Sequence, residues 1–136
     1  MNDPSLALQG AVFAVLSAAL AGVAGVYDRV PLDVAGKVTA AFPYAHIGED
    51  HIVADTDQCH DAFDAFAVVH VWSRAVGKVE AKTIMGLVVA ALAQNLAMTG
   101  FQILTWACVE GPKHMTDLDG LSSHSVVTFR YRLGPV

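Results

Sequence analysis

Apolar residues recur along this chain with two different periods. Over 6–27, LALQGAVFAVLSAALAGVAGVY holds no charge, and Leu6, Phe13, Leu16 and Leu20 return at helical spacing among alanines. Asp3-Pro4 marks the start of this helix: Asp accepts from the free first-turn amides and Pro fits the first helical position. Gly22 or Gly25 ends it. VYDRVPLDVAGK, 26–37, is a connection, because Pro31 cannot donate to a central ladder and Gly36 supplies a turn.

Extended segments follow. AAFPYAHIGE puts Phe42, Tyr44 and either His46 or Ile47 in an extended run, with Pro43 at its edge or start. Residues 49–64, EDHIVADTDQCHDAFD, turn polar and acidic, which predicts a hairpin with its tip at Asp55-Thr56-Asp57. The run 63–72 is apolar on both faces, the pattern of a central strand covered on both sides. Ser73 then serves as N-cap of a helix over 75–96, despite Gly77 and Gly86. Its first half carries Lys78, Glu80 and Lys82; its second, IMGLVVAALAQNLAM, is apolar nearly all round and calls for a partner on each face.

Gly100 ends that helix, and FQILTWACVE reads as a strand with Phe101, Ile103, Thr105, Ala107 and Val109 on one side, Leu104 and Trp106 on the other. GPKHMTDLDGLSSH is a polar loop with turns at Gly111-Pro112 and Asp119-Gly120. VVTFRYRLG alternates: Val127, Phe129, Tyr131 and Leu133 face in, Thr128, Arg130 and Arg132 face out. The order of elements predicts one α+β domain over 1–136. Its antiparallel or mixed sheet has four to five strands and packs with an N-terminal helix and one long central helix.

Composition adds a constraint. The chain is 54% hydrophobic and 15% charged, against about 45–50% and about 25% in ordinary soluble domains, so part of its surface calls for a partner. A net charge of −5 with scattered cations argues against a grip on nucleic-acid phosphates, and fits a surface that DNA slides past. Cys59 and Cys108 form no CxxC pattern, which makes a reduced cytoplasmic protein the default. Arg29 is the first basic residue, unlike a secretion signal, and Gln9, Ser17 and the many Ala and Gly make 6–27 a buried helix rather than a membrane span.

Candidate chemistry concentrates in His51, Asp55, Asp57, Cys59, His60 and Asp61, metal-ligand types within eleven residues. A hairpin brings His51 across from His60, yet the spacing fits neither an EF-hand nor a zinc motif, and acidic hairpin tips are ordinarily solvated turns. No metal or cofactor is therefore assigned; His51, Asp55, Asp57 and His60 are the set that a metal-binding enzyme would use. Cys59 and His60 point to opposite faces of a strand and cannot share a proton. Ser122, Ser123 and Ser125 around His124 lack a nucleophile elbow and read as a serine-rich loop. His70 beside Trp72 reads as a hydrogen-bonded core or interface histidine rather than a general base. AGVAGV lacks the spacing of a phosphate-binding loop. Arg130 and Arg132 either stay solvated or pair with an acidic loop, 49–64, of another copy.

At DPSLALQGAVFAVL, VYDRVP, FPYAHIGED, VVHVWSRAVGKVEAK and VVTFRYRL, in this order over nearly the whole length, the chain resembles the tail completion, or tail terminator, family of long-tailed phages and phage-like gene transfer agents. It departs from that pattern in the loop 56–61. The resemblance implies a small α+β structural protein without enzymatic activity, located at the head–tail junction of a phage-like particle and assembled in the host cytoplasm. It further implies a homohexameric ring at the head-proximal end of the tail tube, which stops tube growth and joins tail to head. The implied partners are other copies, the tail tube protein and a connector or stopper protein, with no membrane. On this reading Phe42, Tyr44, His70, Trp72, Arg74, Leu87, Arg130 and Arg132 are expected at subunit contacts. Asp50, Asp55, Asp57 and Asp61 are expected to line an acidic lumen through which DNA passes unbound. The alternatives are a different connector subunit (stopper or head-completion), a small metal-binding enzyme built on His51 and His60, and a small-ligand module.

Overall fold

In the computed structural model, which describes residues 3–56 and 61–136, helix α1 spans Ser5–Ala19 with Pro4 in the N-cap position. Asp3 Oδ1 accepts from the Ser5 backbone amide at 2.9 Å and from the Ser5 hydroxyl at 2.5 Å, so the aspartate holds the first turn from one residue further out than expected. Leu8, Val12, Leu16 and Leu20 form a buried stripe. Gly22, at φ +74°, turns the chain out of the helix.

The connection after α1 contains a short strand, β1 (Gly25–Tyr27), absent from the sequence reading. Strands β2 (Tyr44–Thr56) and β3 (Asp61–Ser73) form the expected acidic hairpin, but Asp55 and Thr56, expected at its tip, still pair with Ala62 and Asp61, because the strands run further than the polar sequence suggests. Helix α2 (Val79–Leu92) follows, then β4 (Phe101–Thr116) and β5 (Ser123–Pro135). The sheet order is β1-β2-β3-β5-β4, with β1 parallel to β2 and every other pairing antiparallel. The architecture is thus α+β with a mixed five-stranded sheet and two helices.

Both helices lie on the same face of the sheet. Leu8, Val12 and Leu16 of α1 and Ile84, Met85 and Val88 of α2 share one core with Val69 and Val71 of β3 and Phe129 and Leu133 of β5. β3 therefore alternates: Phe63, Ala65, Ala67, Val69 and Val71 are buried, whereas Asp64, Phe66, Val68, His70 and Trp72 are half-buried. The expectation that both faces of this strand are covered is corrected. Its second face is apolar and aromatic, but neither helix packs on it.

Three further readings change. The helix expected over 75–96 starts later, because Gly77 at φ +76° interrupts helical backbone before Lys78, and ends earlier, at Leu92. Ser73 is the last residue of β3 rather than an N-cap; its hydroxyl donates to Glu80 Oε1 at 2.7 Å and accepts from the Ala75 amide at 3.2 Å. The segment 111–116, expected as loop, continues β4. An edge strand tolerates Pro112, which has no amide to donate, and Gly111 at φ +79° sits where the register slips between Glu110 and Lys113.

An earlier slip between Ile103 and Thr105 inverts the expected faces of β4. Trp106 and Cys108 pair with Tyr131 and Phe129 on the helix side, whereas Thr105 and Ala107 pair with Arg132 and Arg130 on the open side. Ser123 and Ser125, taken for a loop, are buried on β5.

Candidate assembly surface

The open face takes its shape from strand register. His46 sits opposite His70, Tyr44 opposite Trp72, and Trp72 opposite His124, so β2, β3 and β5 pool these side chains at one end of the sheet. His70 Nδ1 and His124 Nε2 are 2.7 Å apart, one ring N–H donating to the other ring's bare nitrogen. The Trp72 ring stacks on His124 at 3.9 Å with planes 6° apart, and His46 lies 5.9 Å from His70, its Nε2 3.2 Å from the Asp28 carbonyl oxygen.

Burial, then the neighbouring His124 and His46, push the His70 pKa down to about 4, and burial lowers that of His124. The His70 and His124 rings are neutral at physiological pH. Gly48 makes room for it. A Cβ there would fall 2.8 Å from His70 Cδ2 and Nε2, and the slip in β2 between Ile47 and Asp50 lets the glycine backbone pass beneath the ring.

At the other end the open face is charged. Arg132 Nη1 lies 2.7 Å from Asp55 Oδ2 and 3.3 Å from Asp64 Oδ2. His51 stacks on Phe66 at 4.5 Å. Arg130 is exposed on the same face.

The residues expected at subunit contacts divide into three groups. Phe42, Tyr44, Trp72 and Arg74 gather around the start of β2: the Phe42 ring is 5.0 Å from Tyr44, and the Arg74 guanidinium stands 4.2 Å over Phe42. Tyr44 is buried, which raises its hydroxyl pKa, while His70, Arg130 and Arg132 lie along the open face. Leu87 lies away from all of these, on the outer side of α2 at 38% exposure. Arg132 pairs with Asp55 and Asp64 of its own chain, whereas the sequence reading leaves it either solvated or paired with another copy's acidic loop.

Of the metal reading's four residues, only His51 and Asp55 lie among the described residues. His51 and Asp55 share a face of β2 but stand four residues apart, roughly 13 Å at the rise of a strand, and Asp55 is engaged by Arg132. Asp57, Cys59 and His60 lie outside the described residues. Among the described residues, no three His, Cys, Asp or Glu side chains form a metal-binding group. Asp50 and Asp61 are exposed, Asp50 on the outer edge of β2 and Asp61 at the start of β3. Sequence reasoning missed His46, His124, Gly48 and Asp64; each enters the surface through cross-strand register, which no local pattern records.

What the arrangement defines is a small α+β subunit with one sheet face sealed by helices and the other left open, aromatic at one end and charged at the other. The chain belongs to the family of the tail completion protein gp17, which it matches over residues 10–134, and is a tail structural protein of the phage type. Among solved structures it is similar to a chain from the virion of a native gene transfer agent particle, with a TM-score of 0.81 and 21% identity over 98% of this chain and 99% of that chain. That likeness establishes the shared fold. No curated protein matches the sequence.

Proposed function

We propose that this chain is a tail terminator, acting by assembly and without catalysis. It forms a homohexameric ring on the head-proximal end of the tail tube, stops the addition of tube subunits, and offers the ring's upper side to a head-tail connector or stopper. The observation that carries this reading is the family match over 10–134, on a fold whose second sheet face neither helix covers. A ring closes such surfaces without leaving a sticky end.

Asp55 near the end of β2 and Asp61 at the start of β3, with Asp57 between them in sequence, supply an acidic lumen that repels DNA phosphates. Asp50 lies five residues back from Asp55, roughly 16 Å along the strand, and belongs to a different part of the surface.

Deleting the gene tests this reading. The expected particles are intact heads separated from tails, the tails uneven or overlong by electron microscopy. Joined particles with tails of normal length would contradict it. Headless tails that keep normal length would instead favour a stopper, which acts above the finished tube.

A further inference from the structure

β2 and β4 carry the outer edges of the main sheet. β1 covers β2 only at Tyr44, Ala45 and His46, so beyond the bulge the outer side of β2 has no strand beside it among the described residues. In its thirteen residues β2 carries Glu49, Asp50 and Asp55 and no Lys or Arg. Arg132 holds Asp55, while Glu49, Asp50 and the apolar Val53 are exposed.

The far side of the sheet carries lysines set among acids. Ser123 Oγ donates to the Gly77 carbonyl oxygen at 3.2 Å and Ser123 pairs with Thr116, so Lys78, the N-cap of α2, and Lys82 in its first turn start beside the helix-side face of β4, where burial and then their charges lower the His114 pKa. Lys113 precedes His114 and points the other way, so cations flank this edge on both faces. Of the nearby acids, Glu80 is turned to the Ser73 hydroxyl, Glu110 lies on the strand, and Asp117 follows it on the His124 side. Trp106 and Val109 are exposed on β4, offering apolar area beside the lysines.

A strand with acids and no Lys or Arg on one edge and exposed lysines on the other suit a head-to-tail contact, in which unlike patches mate, and disfavour a two-fold contact, in which each patch meets itself. We infer that the acidic outer edge of β2 in one copy docks against the Lys78, Lys82 and Lys113 side of the next copy. The inference rests on the ring reading and deepens it by naming the two mating edges.

Two double variants test it, both at exposed positions: Glu49→Lys with Asp50→Lys, and Lys82→Glu with Lys113→Glu. Light scattering after gel filtration should find a ring mass for the unaltered chain and the 14.3 kDa monomer for each variant alone. An equimolar mixture should recover the ring mass with both variants in equal amounts, because each now offers the charge the other lacks. High salt should weaken the unaltered ring. If either variant alone keeps the ring mass, or the mixture stays monomeric while the unaltered chain forms rings, the edge assignment is wrong and the ring reading stands. If the unaltered chain stays monomeric at the highest soluble concentration, the ring reading falls and this inference with it.

Discussion

His70 is an imidazole held neutral by its surroundings. Its pKa of about 4 lies below the ordinary 6.5, so between those values the unfolded chain takes up a proton that the folded chain refuses. The stability tied to this neutral ring is present above pH 6.5 and is lost as the pH falls toward 4. Urea midpoints across this range should therefore fall less steeply for His70→Gln than for the unaltered chain; an identical slope would show that other groups govern the acid response. Gly48→Ala tests the space beneath the ring. Its Cβ would collide with His70 and stand 3.3 Å from the Val68 carbonyl oxygen, so we expect a loss of about 1–3 kcal/mol and an NMR-titrated His70 pKa moved back toward 6.5. Unchanged values would mean that the bulge relaxes freely.

Among the elements, α1 is tied to the fold chiefly by its leucine and valine stripe. Leu16 is fully buried, so Leu16→Ala should cost about 2–5 kcal/mol by chemical denaturation; a loss below about 0.5 kcal/mol, the scale of ordinary surface changes, would place α1 outside the cooperative core. β5 was legible in the sequence because strict alternation over Val127, Phe129, Tyr131 and Leu133 matches a regular strand buried on one face. Its neighbour β4 was not, since its register slips exchange inner and outer positions and carry the strand through a Gly-Pro pair that reads as a turn. Helix α2 was legible in kind but not in extent: Gly77 occupies left-handed backbone, a choice made by the tertiary path. The surface was half legible. Trp72, His70 and the arginines stand out as polar or aromatic residues on strands, whereas their partners across the sheet appear only once the pairing is known.

For the whole molecule, exposed area carries the argument. The chain presents 7667 Å² to solvent, against roughly 6800 Å² for a monomer of its mass. The excess is of the same size as the ~800 Å² that one partner buries in a standard interface. It includes Trp106, Leu104 and Val109 on β4 and Leu6 and Phe13 on the outside of α1. Among the described residues no helix is long and apolar enough to cross a membrane. On the proposed reading this surplus is contact area for other copies and for the tube and connector on either side. The most direct measurement is the position of the chain in purified headless tails, found by gold labelling of a tagged copy and by counting copies per tail. The account predicts label at one end only, the end that receives the head, with six copies per tail; label along the whole tube, or a chain absent from tails and monomeric in solution, would contradict it.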